Sequence, residues 1–287
     1  MTLANGVELI QQMNAMAVPP DCLAIWGLGQ MGVAVKGGNG RIIYIDPILS
    51  NVVALREPAL ADKFTRAFPA PLEPSQINNA ALVLCTHEHL DHTDPLTLGP
   101  LAAASPQACF IASGWAQTAL DEAGIANARR IIPNSGKPLE FGSLRINIVP
   151  SAHYGLEFDQ PRGWRWMGFH IQWNGVTFYH SGDNILYPGY LQRLQALPSI
   201  DVGLLAVNGR DECRESEGVI GNMHPQEAVW LAKELDWDML LGGHNDLFLW
   251  NSLPATSLSD AVSRINPHQK FQTLQPGEML LYRRNAV

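Results

Sequence analysis

The apolar run Ala81-Leu82-Val83-Leu84-Cys85 leads directly into Thr86-His87-Glu88-His89-Leu90-Asp91-His92. A short continuous apolar run reads as a strand buried on both faces, so other elements must cover it on each side. The segment after it is unusual. Three imidazoles and a carboxylate crowd into His87–His92, and such clustering is costly unless something is bound. In extended backbone, residues i and i+2 share a face, so His87 and His89 can grip one cation. If the chain then turns, Asp91 and His92 can address a second. The plainer reading is a polar loop after a strand, but chance assembly of this spacing is rare.

One segment does not complete a metal site. Further His or Asp residues must arrive from elsewhere, and strand ends are where side chains converge on one sheet edge. Three positions meet that test: His153 after the strand-like run 143–152, Asp183 after 176–182, and His244 after 238–243. Each follows an apolar run and lies beside small residues that permit close approach. Alone, each reads more simply as a hydrogen-bonded structural residue. Beside the 87–92 cluster, the ligand reading prevails. His180 and His224 lie further out, and His180 reads better as a strand residue packing nearby.

The remaining chain supplies the frame. Residues 1–20 read as an N-terminal extension with an amphipathic helix ending at Pro19-Pro20. The runs 23–36 and 41–47 flank Gly37-Gly38-Asn39-Gly40 and predict a hairpin. Residues 48–80 are irregular and proline-containing, which suits a flap over a site. Asp94-Pro95 predicts an N-cap and first turn of a helix to about residue 104. Strands are expected over 108–113, 143–153, 202–207 and 238–244, and helices over 114–124 and 224–236. Asn174-Gly175 marks a hairpin between 168–173 and 176–183, and 272–283 reads as one last sheet element. Irregular alternation of strands and helices, with hairpins mixed in, predicts an α/β sandwich with mixed sheets. No linker divides the chain, so 1–287 is expected to form one domain.

Charge narrows the partners. Against 27 acidic residues stand 19 Lys and Arg, a net −8. That excludes sequence-independent binding of nucleic acid or an anionic membrane surface, so an anionic substrate needs a local positive centre such as a metal cluster. No apolar stretch is long enough to span a membrane. Cys22, Cys85, Cys109 and Cys213 show no metal or disulfide spacing, and the N-terminus lacks a signal-peptide pattern. Both features suggest a cytoplasmic protein. The pattern Gly27-Leu28-Gly29-Gln30-Met31-Gly32 matches GxGxxG, yet a second strand rather than a helix is expected after it, so a dinucleotide site is rejected.

The order HEHLDH, SAH, SGD and GGH, running through residues 87–244, resembles the ligand series of the metallo-β-lactamase superfamily. The resemblance implies an αββα sandwich with two divalent cations. It implies that His87, His89 and His153 hold the first cation, that Asp91, His92 and His244 hold the second, and that Asp183 bridges them. With nitrogen and oxygen ligands only, zinc suits the site, with manganese as the alternative. Asp46, after the run 42–45, resembles the superfamily's early aspartate that braces the metal loop; its plainer role is a turn residue before Pro47. The opening WGLGQMGVAVK…IYIDP, the NGRD…R…G…GN loop at 208–222 and GGHNDLFLWNS at 242–252 are similar to the L-ascorbate-6-phosphate lactonase-like branch.

That resemblance implies a hydrolase acting through a bridging hydroxide on a lactone or other carboxylic ester, including a sugar-phosphate lactone. Asp91 and Asp183 are the expected catalytic carboxylates. Arg210 and Arg214 are candidates for holding a substrate anion, against the plainer reading that they pair with neighbouring acids. Trp164 and Arg165, near the loop after His153, are candidates to line the site. The alternatives are a phosphodiesterase of the phospholipase-D-like branch and a non-catalytic binding module. The partner is expected to be a small molecule, and the resemblance allows a homo-oligomer.

Overall fold

The computed structural model describes residues 3–134 and 136–284. The strands in chain order are β1 (Cys22–Gly29), β2 (Gly32–Lys36), β3 (Ile42–Ile45), β4 (Ala80–Cys85), β5 (Cys109–Ala112), β6 (Arg130–Ile131), β7 (Leu139–Phe141) and β8 (Leu144–Pro150). They continue with β9 (Phe158–Asp159), β10 (Gly163–Trp164), β11 (Met167–Trp173), β12 (Val176–His180), β13 (Val202–Ala206), β14 (Met239–Gly243), β15 (Lys270–Gln272) and β16 (Met279–Arg283). Two seven-stranded mixed sheets result, in the orders β16-β1-β2-β3-β4-β5-β6 and β15-β14-β13-β12-β11-β8-β7. β9 and β10 form a separate small hairpin.

Alternation along the strands builds the layers. Leu23 and Ile25 of β1, Ile43 and Ile45 of β3, and Leu82 and Leu84 of β4 point inward. They meet Ile146, Phe169, Ile171, Phe178 and Leu204 of the second sheet in one apolar layer. The opposite faces are apolar too. Trp26, Tyr44, Val83 and Phe110 pack under helices Gly6–Ala15, Pro95–Ala104 and Gln117–Glu122. Tyr179, Leu205 and Leu240 pack under helices Tyr190–Gln195, Pro225–Glu234 and Ser257–Ile265. Strands covered on both faces read as continuous apolar runs, which is why β1, β4 and β13 lack a polar alternation. The result is the expected αββα sandwich.

One expectation is met and two need correction. The run 23–36 is two strands, β1 and β2, paired antiparallel with a register shift near Gly29, which supplies the second strand expected after the glycine pattern. Gly29 and Gln30 both have left-handed backbone (φ 93° and 57°), which turns the chain where apolar periodicity gave no warning. The run 272–283 is also two elements, β15 and β16, which belong to opposite sheets; Pro276 and Gly277 (φ 83°) break it. The segment 48–80 packs firmly: Ile48, Val52 and Phe64 share an apolar cluster with Leu247 and Phe248. The hairpin at Asn174-Gly175 forms as expected, with both residues at positive φ.

Parallel pairing places the chemistry. β3 pairs parallel with β4, and β12, β13 and β14 run parallel to one another. Their carboxyl ends therefore lie along one rim of the sandwich, where loops from both sheets meet.

Candidate metal centre

β4 ends at Cys85, and the segment 86–94 leaves the sheet at once. The extended geometry expected for His87 and His89 is not what brings them together. The chain coils instead, with the amides of His92 and Thr93 both donating to the carbonyl of His89. That coil sets the imidazole rings of His87 and His89 4.6 Å apart and those of His87 and His92 4.0 Å apart. Asp94 then caps the helix Pro95–Ala104 by accepting from the Leu96 amide.

The other sheet supplies the rest. His153 follows β8, Asp183 follows β12 and His244 follows β14. Asp183 Oδ1 lies 3.2 Å from both His92 Nε2 and His244 Nε2, while its Oδ2 faces His153 Nε2 at 3.8 Å. Asp91 Oδ2 lies 3.3 Å from His244 Nε2 and 3.5 Å from His92 Nε2. Three groups of ligand atoms emerge: His89, His153 and Asp183; Asp91, His92 and His244; and His87, His92 and Asp183. Relative to the expected sorting, His87 clusters with His92 as well as with its own side.

The donor set suits divalent cations. His87 Nε2, His92 Nε2, His153 Nδ1 and Asp183 Oδ1 are buried and make no hydrogen bond among the described residues. Orphaned buried polar atoms are rare in proteins and call for a partner, and four of them in one nitrogen-and-oxygen set match a zinc- or manganese-type site. The local electrostatics divide the histidines. Burial would lower His92 and His244, but the carboxylates of Asp183 and Asp91 outweigh it. They raise His92 well above the ordinary imidazole range and His244 to about 9, positive charge that a bound cation would replace. Burial pulls His87 well below the ordinary imidazole range, with His92 and His89 adding to the effect, and burial lowers His153 to about 4. Neutral imidazole is the ligating form. Burial would raise the Asp183 carboxyl, but the charges of His244 and His92 outweigh it and hold Asp183 well below the usual carboxylate range.

The loop is braced from below. Asp46, at the end of β3, is fully buried. Its Oδ1 accepts from the Thr86 amide at 2.8 Å, and its Oδ2 accepts from Thr86 Oγ1 at 2.7 Å and approaches His92 Nδ1 at 2.8 Å. Four of the seven non-glycine residues with left-handed backbone among the described residues, Gln30, Asp46, Tyr154 and His244, cluster at this rim. Backbone strain of this kind persists where surrounding structure over-determines it.

Trp166 walls one side, its ring 5.0–5.1 Å from those of His87, His89 and His153. Arg165 lies over Trp166 and Trp115 and pairs with Glu88 and Glu157. Arg165 and Trp166 are therefore part of the site wall, while Trp164 packs against Phe158 in the small hairpin.

Arg210 and Arg214 are placed differently from the expectation. Arg214 is buried and donates to Asp211, Asn251 Oδ1 and the Asn208 carbonyl. Arg210 forms a fork on Glu227, with bonds of 2.7 and 2.8 Å, and also reaches the Asn222 carbonyl. Arg214 thus holds the 208–222 loop together from a buried position, each of its three nitrogens donating within or beside that loop, which favours the pairing role over the substrate contact. The asparagines of that loop do connect to the site. Asn208 bonds Asn251, Asn222 bonds Asn208, the Asn184 amide donates to Asn222 Oδ1, and the Ala152 amide donates to Asn184 Oδ1. This chain ends on the neighbours of His153 and Asp183. His180 Nε2 donates to the Met31 carbonyl at 2.9 Å, and His224 caps helix Pro225–Glu234.

Sequence reasoning missed Gln30, Thr86 and Trp166. Only Thr86 carried a usable signal, its place between a buried strand and the histidines.

Gly182 keeps the two sheets in contact beside Asp183. Its φ is 57°, and a Cβ there would lie 2.7 Å from the Met167 carbonyl and 2.8 Å from Thr86 Cβ. Gly182→Ala is therefore expected to destabilise the protein by about 2–4 kcal/mol, combining overpacking with left-handed strain. Thermal melting checks it, and a loss below about 0.5 kcal/mol would show that the contact relaxes freely.

Comparison with known proteins agrees with this geometry. Residues 41–244 match the β-lactamase superfamily domain. The chain is 25% identical to a probable L-ascorbate-6-phosphate lactonase of Salmonella choleraesuis, with 87% of this chain and 76% of that protein covered. A metallo hydrolase from the archaeon Ignicoccus hospitalis is similar in structure, with TM-score 0.64, 20% identity, and 92% of this chain and all of that one covered. The metallo-β-lactamase fold protein YhfI of Bacillus subtilis gives TM-score 0.63 at 15% identity, covering 91% of this chain and 100% of that one. The chain belongs to the metallo-β-lactamase superfamily and has its fold.

Proposed function

We propose that the chain is a two-cation hydrolase of lactones or related carboxylic esters, with His87, His89, His153, Asp91, His92 and His244 as ligands and Asp183 shared. The observation that carries the reading is the split of Asp183: one oxygen toward His92 and His244, the other toward His153. A divalent pair held there supplies Lewis acidity to a substrate carbonyl and to an attacking water.

The chain's own residues do the rest. Asp183, with only 4% of its side chain exposed, stays fixed between the groups. Asp91 is 17% exposed, so it is the carboxylate of the set with a face toward solvent. It is placed to carry a proton to the leaving alkoxide as the acyl–oxygen bond breaks. Trp166 excludes water from the histidine side, and Tyr154, 42% exposed, stands at the rim. The choice of a lactone over other esters rests on the relative from Salmonella choleraesuis, whose name describes that activity. Zinc is the favoured metal and manganese the alternative. With Arg214 committed to its loop, a substrate phosphate would rely on the cations and on Arg210 released from Glu227.

Metal analysis by mass spectrometry on protein expressed with zinc and manganese available, followed by turnover assays, tests the reading. About two divalent ions per chain are expected, together with hydrolysis of sugar lactones, phosphorylated or not, that a chelator abolishes. Turnover of phosphodiesters but no lactone would install the phosphodiesterase instead. Protein that takes up no added metal would leave only a binding role.

A further inference from the structure

We propose, resting on the two-cation reading above, that Gln30 is a positioning residue that sets the cation affinity of the group Asp91, His92 and His244. Gln30 forms the turn between β1 and β2, far from the other site residues in sequence. Its own backbone is pinned twice: its amide donates to Asp246 Oδ1 at 2.9 Å, and its carbonyl accepts from the His244 amide at 2.8 Å. The side chain is buried, with 5% of the residue exposed. Its Nε2 donates to Asp91 Oδ2 at 2.8 Å and lies 3.1 Å from His244 Nε2.

The oxygen that Gln30 holds is the one that matters. Asp91 Oδ2 is also the oxygen that faces His92 Nε2 and His244 Nε2. A carboxylate oxygen has two lone pairs, so it can accept the amide hydrogen and still face a cation. The bond therefore fixes the Asp91 rotamer without removing its ligand capacity. Asp91 needs such a tether more than Asp183 does, because it is the more exposed of the two carboxylates. A neutral amide also suits the place. A cationic donor would repel the metal, and a second carboxylate would repel Asp91. The left-handed φ of 57° is a conformation that Gln adopts less readily than Gly or Asn, so this turn keeps a strained residue whose side chain reaches the site.

Two variants of the full chain test the proposal, Gln30→Asn and Gln30→Glu. Zinc is titrated against a chelating indicator, bound zinc is counted, and melting is followed with and without zinc. Asn favours the left-handed turn but withdraws the amide by one methylene. The first zinc is expected to bind as in wild type, and the second about 10–100-fold more weakly, the usual effect of losing a group that orients a metal ligand. Glu sets a like charge against Asp91 and can offer an oxygen to the cation. That variant is expected to melt lower without zinc and to gain more than wild type on adding it. An Asn variant with both wild-type zinc affinities, or a Glu variant with unchanged melting in both states, would overturn the role of Gln30 alone. Wild-type protein that binds no zinc would overturn the two-cation reading itself.

Discussion

Asp183→Ala is expected to lower kcat/KM by at least about 10³-fold and to hold one metal ion or none where the proposed wild-type site holds about two. The two effects share one cause. Among the described residues Asp183 and His92 each belong to two ligand groups, and Asp183 is the carboxylate that does: it joins His89 and His153 in one and His87 and His92 in the other. Its oxygens divide between those groups at 3.2 and 3.8 Å. Alanine removes an oxygen from both at once. Asp183→Asn removes less, because a neutral carbonyl can still serve one side, so one ion should remain. The order wild type, Asn, Ala in bound metal is a stronger test than activity, which any distortion lowers. Retained two-ion occupancy in the alanine variant would refute the sharing. Circular dichroism guards against trivial unfolding, since Asp183 lies outside the three main apolar clusters.

Much of this site can be read along the chain because its ligands obey local rules. His153, Asp183 and His244 each follow a buried strand; β12 and β14 run parallel through β13, and β8 runs the same way through antiparallel β11, so a shared position in sequence becomes a shared position in space. The HEHLDH segment announces itself by composition, although its coil, set by the His89 carbonyl, does not show in the letters. What stays hidden is of two kinds. Turns that rest on left-handed residues leave no apolar period, so the glycine pattern at 27–32 announces a second strand but not that Gln30 turns its side chain toward Asp91. Charges are equally silent about their partners. Arg214 reads equally well as a substrate contact and as a partner of nearby acids, and only the structure shows its bonds to Asp211, Asn251 and Asn208. The crossing of 272–283 between sheets is hidden for the first reason, since only Pro276 and Gly277 mark the break.

Asp46→Asn should be nearly as damaging as loss of a ligand, although Asn has the same shape. Asp46 accepts hydrogen bonds on both oxygens: Oδ1 from the Thr86 amide, Oδ2 from Thr86 Oγ1 and His92 Nδ1. An acceptor facing His92 Nδ1 keeps the proton there and leaves the Nε2 lone pair free for a cation. An asparagine offers one acceptor and one donor. If its nitrogen faces the Thr86 amide, two buried donors confront each other, at a cost of about 1–3 kcal/mol. If its nitrogen faces His92, the ring must accept at Nδ1 and carry its proton on Nε2, where the cation belongs. Neither orientation preserves both the loop and the ligand. The expected result is a protein that still folds, melts lower, and binds the cation of the Asp91, His92 and His244 group about 10–100-fold more weakly. Nitrogen-15 shifts of the His92 ring in metal-free protein separate the two routes, because only the second moves the proton to Nε2. Wild-type melting together with wild-type metal affinity would mean that Asp46 is a turn residue before Pro47 and no more.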